Sequence, residues 1–427
     1  MTAYKDLTRE ELLTMKKDLE LQYEDAKGKG LKLDMSRGKP SEEQLDMTMP
    51  MMDIFNSSCD MRDDQGVDTR NYGNLEGIWS ARRLLGEMLG VAPEKVIVFG
   101  TASLSVMYDS ISRSMTHGVM GSTPWCKLDK VKFLCPAPGY DRHFSITEHF
   151  GIEMITIPMT EEGPDMDLVE EYVKDPAVKG IWCVPMYTNP LGITYSEEVC
   201  RRMADLNPAA EDFRIYWDNA YCVHHLYDDK QDTLPEMLSM CEANGKKDMI
   251  LEFASTSKIS FAGAGISCIA ASEGNLEWVK KSMTIQIISH DKINQLRHVR
   301  YFKDMDGIKE HMRKHAAIMR PKFEMVLETL ERELGGLGIG SWTKPLGGYF
   351  ISFDAMDGCA KAIVNKCKEA GVVLTGAGAT FPYKKDPHDK NIRIAPSYPT
   401  MEELKLTAEL FVLCVKLVSV EKLLGEI

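Results

Sequence analysis

The feature that most constrains this chain is a series of short apolar runs, each closing on a turn and followed by a helical pattern. Val96-Ile97-Val98-Phe99 is the first, and runs over residues 131–135, 154–157, 180–184, 213–217 and 249–253 follow. Helical periodicity fills the intervals, for example over 78–89, 104–115 and 166–173. Strand-like runs alternating with helices predict an α/β fold with a mostly parallel central sheet flanked by helices. In such sheets ligands gather at the carboxyl ends of the strands. The residues with chemistry in them stand at those ends.

The last of these runs leads into Ile250-Leu251-Glu252-Phe253-Ala254-Ser255-Thr256-Ser257-Lys258, and then into the small residues Phe261-Ala262-Gly263-Ala264-Gly265. One amine is thereby placed at the mouth of a sheet. A lysine there can lose solvation and act as a neutral nucleophile toward a carbonyl, although a solvated loop lysine fits the same stretch. Gly100-Thr101-Ala102-Ser103 joins a strand to a helix N-terminus, where free N–H groups and the helix dipole favour an anion such as phosphate. Pro136-Ala137-Pro138-Gly139-Tyr140 fixes a turn that projects a tyrosine, Asn189-Pro190-Leu191-Gly192 ends another strand, and Asp218 closes the run before Asn219-Ala220-Tyr221. Asp34-Met35-Ser36-Arg37-Gly38-Lys39-Pro40 is either a connector or backbone that passes close to an anionic ligand at Gly38.

Composition narrows the class. A chain of 427 residues, 44% hydrophobic and 27% charged, has the make-up of a globular protein of two or three domains. Its net charge of −13 and the lack of a basic patch argue against nucleic acid. Eleven cysteines scattered without a CxxC pair suit reduced thiols. The polar N-terminus carries no apolar leader and no run reaches membrane-spanning length, so no membrane association is expected and a cytoplasmic location is the default. An amphipathic helix is predicted over 7–27, with Thr8 as N-cap and Gly28 and Gly30 as the stop. Past Asn275 the pattern changes. A long charged helix over 308–334 precedes a smaller α+β region, with strands over 347–353, 372–374 and 391–395 and helices over 360–370 and 401–424.

The ordered set Tyr72-Gly73, Gly100-Thr101-Ala102-Ser103, Pro138-Gly139-Tyr140, Asn189-Pro190-Leu191-Gly192, Asp218-Asn219-Ala220-Tyr221, Ser255-Thr256-Ser257-Lys258, Gly347-Gly348-Tyr349 and Asn391-Ile392-Arg393 resembles the class I/II aminotransferases of PLP fold type I. Within them the chain is most similar to the bacterial aspartate aminotransferase subgroup related to the aminotransferase domains of MocR-type regulators. That likeness rests on Arg37-Gly38-Lys39-Pro40 and Asp291-Lys292-Ile293-Asn294-Gln295-Leu296-Arg297. The resemblance implies three parts: 1–55 as N-terminal helix and substrate loop within the small domain, 56–305 as the large cofactor-binding domain, and 306–427 as the small α+β domain. It implies transfer of an amino group from an acidic amino acid, aspartate foremost, to 2-oxoglutarate in a homodimer with shared active sites. An aminotransferase of other specificity, a β-lyase of the same fold, and a ligand-sensing domain of a transcription regulator are the alternatives.

By the same resemblance Lys258 forms a Schiff base with pyridoxal 5'-phosphate and moves the proton, and Asp218 pairs with the pyridine nitrogen. Tyr221 and Asn189 bond the phenolic oxygen and Tyr140 stacks on the ring. Thr101, Ala102, Ser103 and Ser255 hold the phosphate, with Tyr72 reaching that of the neighbouring subunit. Arg393 binds the substrate α-carboxylate, with Asn189 and the backbone of Gly38 beside it. One element of the family pattern is missing: the arginine eight positions after the lysine is Ile266 here, or Gly265 with a one-residue shift. Lys292, Arg297 and Arg37 are the cations left to meet the phosphate and a substrate's distal carboxylate, with Lys292 placed first at the phosphate.

Overall fold

The computed structural model describes residues 2–427. Among them thirteen strands form three sheets: β1 (Leu33–Asp34), β2 (Val96–Phe99), β3 (Lys132–Ala137), β4 (Glu153–Thr160), β5 (Gly163–Pro164), β6 (Val178–Cys183), β7 (Arg214–Asp218), β8 (Ile250–Ser255), β9 (Ser267–Ala271), β10 (Gly340–Trp342), β11 (Ile351–Ala355), β12 (Val372–Val373) and β13 (Asn391–Ile394). The main sheet has the order β2-β9-β8-β7-β6-β3-β4-β5. Its centre, β8-β7-β6-β3-β4, is parallel throughout, and β9 runs antiparallel between β2 and β8. Every residue of β6 and β7 is buried. Helices cover both faces, which is why these strands read as continuous apolar runs instead of alternating ones. Tight packing shows at Gly180, where a Cβ would lie 2.4 Å from the Phe133 ring.

The predicted strands are all present, with ends shifted by a few residues; the short β1, β5 and β10 are additions, and so is β9. Its sequence, Ser267-Cys268-Ile269-Ala270-Ala271, continues the small-residue turn after Lys258 and carries no strand signal of its own. The predicted strand over 347–353 begins only at Ile351, because Gly348, with φ 79°, leaves extended geometry and Gly347 forms an isolated bridge with His225. Thr8 caps the first helix, Arg9–Gly28, through a full capping box with Glu11, and Gly30 follows with φ 61°.

A second core joins the two ends of the chain. Leu12, Leu19 and Tyr23 of the first helix pack with Phe411, Val415 and Val418 of the last, Met401–Leu424, and with Phe353 and Ile363. The three-stranded antiparallel sheet β10-β11-β13 and the parallel pair β1-β12 belong to this smaller α+β part. Helix Met305–Leu334 bridges the two cores. Its first turns put Ile308 and Met312 into the core beneath the main sheet, and Met319, Phe323 and Leu330 into the smaller one. Among the described residues no helix is long and apolar enough to cross a membrane.

Candidate active site

The site is built at the carboxyl ends of β2, β3, β6, β7 and β8. After β8 the chain makes a tight turn, in which Thr256 donates its N–H to the Ile266 carbonyl at 2.8 Å and Ile266 returns one to Thr256 Oγ1 at 3.0 Å. Ser257 Oγ ties the same turn to the Thr101 carbonyl at 2.9 Å. Lys258 stands half-buried on it, with Nζ 5.0 Å from the centre of the Tyr221 ring and 5.8 Å from that of Tyr349. Those distances place the amine in cation–π range of two aromatic faces.

Four buried histidines brace this turn from behind. His224 Nε2 lies 3.3 Å from the Lys258 carbonyl, and His311 and His315 approach the Ile259 carbonyl at 2.8 and 3.1 Å. His298 reaches Ser260 Oγ at 2.8 Å and Thr256 Oγ1 at 3.2 Å. Gln44 then links His315 Nδ1, at 2.9 Å, to the Tyr349 hydroxyl, at 3.2 Å, so the N-terminal segment touches both the turn and the ring beside the lysine. Burial is the main cause that lowers these imidazoles, to about 4 for His298 and about 3 for His315, with His311 and His224 lowered as well.

A pH dependence follows with a definite sign. In the unfolded chain these groups titrate near 6.5, so below that value the unfolded state binds protons that the folded state refuses. Stability therefore falls as pH drops from 6.5 toward about 4 at His298 and about 3 at His315, and levels off below. Urea unfolding at pH 7 and pH 5 should show a loss on the order of 1–2 kcal/mol per buried histidine. A His298→Gln variant should lose visibly less over the same step, and an unchanged slope would count against the assignment.

Asp218 ends β7 and is 3% exposed. Its Oδ2 meets His143 Nε2 at 3.1 Å, while its Oδ1 is buried with no hydrogen-bond partner among the described residues. His143 is stacked on Trp182, with centroids 4.4 Å apart, and takes the Tyr140 ring edge-on at 4.9 Å. Burial raises the Tyr221 phenol above its ordinary range, with Asp218 adding to the effect, and raises Tyr140 to about 12. A buried carboxylate oxygen left without a partner is costly, so a bound group with a proton to share suits this position.

The anion cradle is the N-terminus of helix Ser103–His117. Ala102 is its N-cap and supplies no side-chain hydrogen bond, so the first N–H groups remain free for a ligand. Thr101 and the buried Ser103 sit at this end, and Ser255 Oγ lies 3.0 Å from Ser257 Oγ alongside. Ile266 cannot contribute charge, being 1% exposed in the large core. A side chain at 265 would meet Thr256 Oγ1 at 2.9 Å. Lys292 donates its amine to the carbonyls of Asn71 at 2.6 Å and Gly73 at 2.8 Å in its own chain. It is 2% exposed and holds the loop that presents Tyr72. Tyr72 itself is 78% exposed. Arg297 lies nearer the Lys258 turn. It bonds Asn294, whose amide donates to the Ala264 and Gly265 carbonyls at 3.0 and 2.9 Å, and its Nε is buried without a partner among the described residues.

Arg393, on β13, is 8% exposed and lies with its guanidinium carbon 4.8 Å from the Phe350 ring centre. It donates to Asn189 Oδ1 and to Asp141 Oδ1, both at 3.1 Å. Gly38 passes directly over the same Phe350 ring, where a Cβ would lie 2.3 Å from Cζ. Arg37 is exposed beside it. The structure thus brings Lys258, Tyr221, Asp218 and Tyr140 together, and Arg393 with Asn189 and Gly38, but leaves Arg37, Tyr72 and Lys292 outside these contacts. Sequence reasoning passed over His143, Asp141 and the bracing histidines, and gave Tyr349 no role within its motif. His143 alone carries a local signal, being one helical turn beyond Tyr140.

Pyridoxal phosphate fits this set on the structure's own terms: an amine for its aldehyde, an unpartnered buried carboxylate oxygen for its ring nitrogen, and an uncapped helix N-terminus for its phosphate. Comparisons with known proteins agree. The aspartate amino-transferase family model matches residues 7–427. An aspartate aminotransferase of Corynebacterium glutamicum is 45% identical over 420 residues, covering 98% of this chain and 97% of its own. The crystal structure of an aspartate transaminase from the same organism superposes with a TM-score of 0.96 at 45% identity, covering 99% of both chains. An α-aminoadipate aminotransferase of Thermus thermophilus, solved with N-(5'-phosphopyridoxyl)-L-leucine, shares the fold with a TM-score of 0.72 at 20% identity, over 93% of this chain and 94% of its own. The chain belongs to the aspartate aminotransferase family and is a PLP-dependent aminotransferase of fold type I.

Proposed function

We propose that the enzyme transfers the amino group of an acidic L-amino acid, aspartate foremost, to 2-oxoglutarate. The observation that carries the reading is Arg393: a buried guanidinium on Asn189, in a chain 45% identical to an aspartate aminotransferase along nearly its whole length. When bound, pyridoxal phosphate supplies an aldehyde to capture the amino group and a ring to take up the electron pair released at the substrate Cα. Lys258 anchors the cofactor and carries the proton to and from that carbon. Asp218, held by His143, keeps a proton on the ring nitrogen through its free Oδ1. Tyr221 and Asn189 bond the phenolic oxygen, and Tyr140 stacks on the ring. Thr101, Ala102, Ser103 and Ser255 bind the phosphate at the helix N-terminus.

Arg393 binds the α-carboxylate with two parallel donors, a match that lysine cannot make. Of the three cations Lys292, Arg297 and Arg37, Arg297 is the better phosphate counter-charge because Asn294 ties it to the Lys258 turn while Lys292 is engaged by the Asn71 and Gly73 carbonyls, and Arg37 beside Gly38 is assigned to the distal carboxylate. A homodimer belongs to this reading, with the exposed Tyr72 reaching the partner's phosphate from a loop that Lys292 clamps on both sides. So does the kinship with MocR-type aminotransferase domains, which rests on the Arg37–Pro40 and Asp291–Arg297 segments.

Half-reactions test the substrate. The purified holoenzyme is mixed with one amino acid at a time and the bound cofactor's absorbance followed. Aspartate and glutamate should convert it at least about fivefold faster than alanine or phenylalanine, because only they carry a distal carboxylate for Arg37, and an ion pair with an exposed cation contributes about 1 kcal/mol. Faster reaction of alanine or phenylalanine would reject the acidic specificity. With an amino acid that carries a leaving group on Cβ, such as cystathionine, release of ammonia and pyruvate would identify lyase chemistry instead.

A further inference from the structure

Arg393 is already engaged. Nη1 donates to Asp141 Oδ1 and Asn189 Oδ1 at 3.1 Å each, and Nη2 to Thr375 Oγ1 at 3.1 Å and the Ser36 carbonyl at 3.5 Å. A carboxylate needs two parallel N–H donors from such a fork, and one carboxylate oxygen is seated on it now. That oxygen belongs to Asp141, the only acid in ion-pair contact with Arg393 among the described residues.

The two partners are unequally held. The Arg393 side chain is 9% exposed, lies on the Phe350 ring and is held by acceptors from three segments of the chain. The Asp141 side chain is 33% exposed and stands at the first position of helix Asp141–His149. Swinging it toward solvent gives up one ion pair and no core contact, and the helix N-terminus favours its charge in either place. An arriving α-carboxylate would otherwise sit beside a like charge within a few ångströms, where repulsion is strong in a partly buried site.

We propose that Asp141 is an internal counter-ion of Arg393 that the substrate's α-carboxylate displaces on binding, so that it sets substrate affinity by competing for the guanidinium. The idea rests on Arg393 being the α-carboxylate site. It makes the opposite prediction from a role in which Asp141 merely orients the guanidinium. A competitor weakens binding, so removing its charge tightens binding; an orienting group strengthens binding, so removing it loosens binding.

The test measures calorimetrically the affinity of the holoenzyme for succinate, a dicarboxylate with no amino or oxo group to react. Four proteins are compared: wild type, Asp141→Asn, Asp141→Ser and Arg393→Lys. The two uncharged variants should each bind succinate about tenfold more tightly, and Arg393→Lys at least about tenfold more weakly. Two different replacements separate loss of charge from any local misfolding. Unchanged or weaker binding in either uncharged variant, with Arg393→Lys weakened, overturns the counter-ion and leaves the arginine's role standing. Full affinity in Arg393→Lys removes the arginine's role and the counter-ion together.

Discussion

Lys258→Ala is expected to lower turnover with aspartate at least about 10⁴-fold, because one side chain both anchors the cofactor and carries the proton. No other lysine lies within cation–π range of Tyr221 or Tyr349 among the described residues, so nothing nearby substitutes for it. The fold should be unaffected. The turn is fixed by groups that the substitution leaves in place: Ser257 on the Thr101 carbonyl, Thr256 on Ile266, and His224 on the carbonyl of residue 258 itself. A half-buried lysine with no ion pair among the described residues should change stability by no more than about 1 kcal/mol when shortened. Steady-state assay and thermal unfolding of the same preparation decide the matter. Activity within tenfold of wild type refutes the role, and a collapse of stability alongside lost activity would make the turn, not the amine, the cause.

How far the site could be read beforehand follows from where its information lies. Lys258, Asp218, Tyr140 and Ser103 announce themselves because each closes or follows a short apolar run, and strand ends are where an α/β sheet binds ligands. Such residues are local in sequence and convergent only in space. The contacts that complete the site are not local. Lys292 meets Asn71 across 221 positions, and Arg393 meets Asp141 across 252. Periodicity reports which face of an element is buried, not which polar group it will meet there. The bracing histidines show the same limit. His311 and His315 occupy one stripe of a long helix like any core pair, and only the fold reveals that the stripe ends on the Ile259 carbonyl, next to Lys258. β9 was illegible for a different reason: its alternation of small residues is indistinguishable from the turn before it.

Asp218→Asn should separate the needs of the cofactor from those of the fold. Asparagine keeps the size of the side chain and a hydrogen bond to His143, but it cannot hold a proton on a pyridine nitrogen by charge. Turnover should drop on the order of 10³-fold, the scale of losing one preorganised electrostatic contact in a water-excluded site. Stability of the cofactor-free protein should move the other way or not at all. There Asp218 is 3% exposed with Oδ1 unpartnered, so a neutral amide relieves a desolvation penalty that only a bound ligand otherwise offsets. The melting temperature of the cofactor-free variant should equal or exceed that of cofactor-free wild type. With pyridoxal phosphate present the order should reverse, because ligand binding stabilises the folded state in proportion to its affinity. A variant less stable than wild type without cofactor would mean that Asp218 serves the fold through His143 and Trp182. Turnover within tenfold of wild type would mean that the ring nitrogen is held by something else.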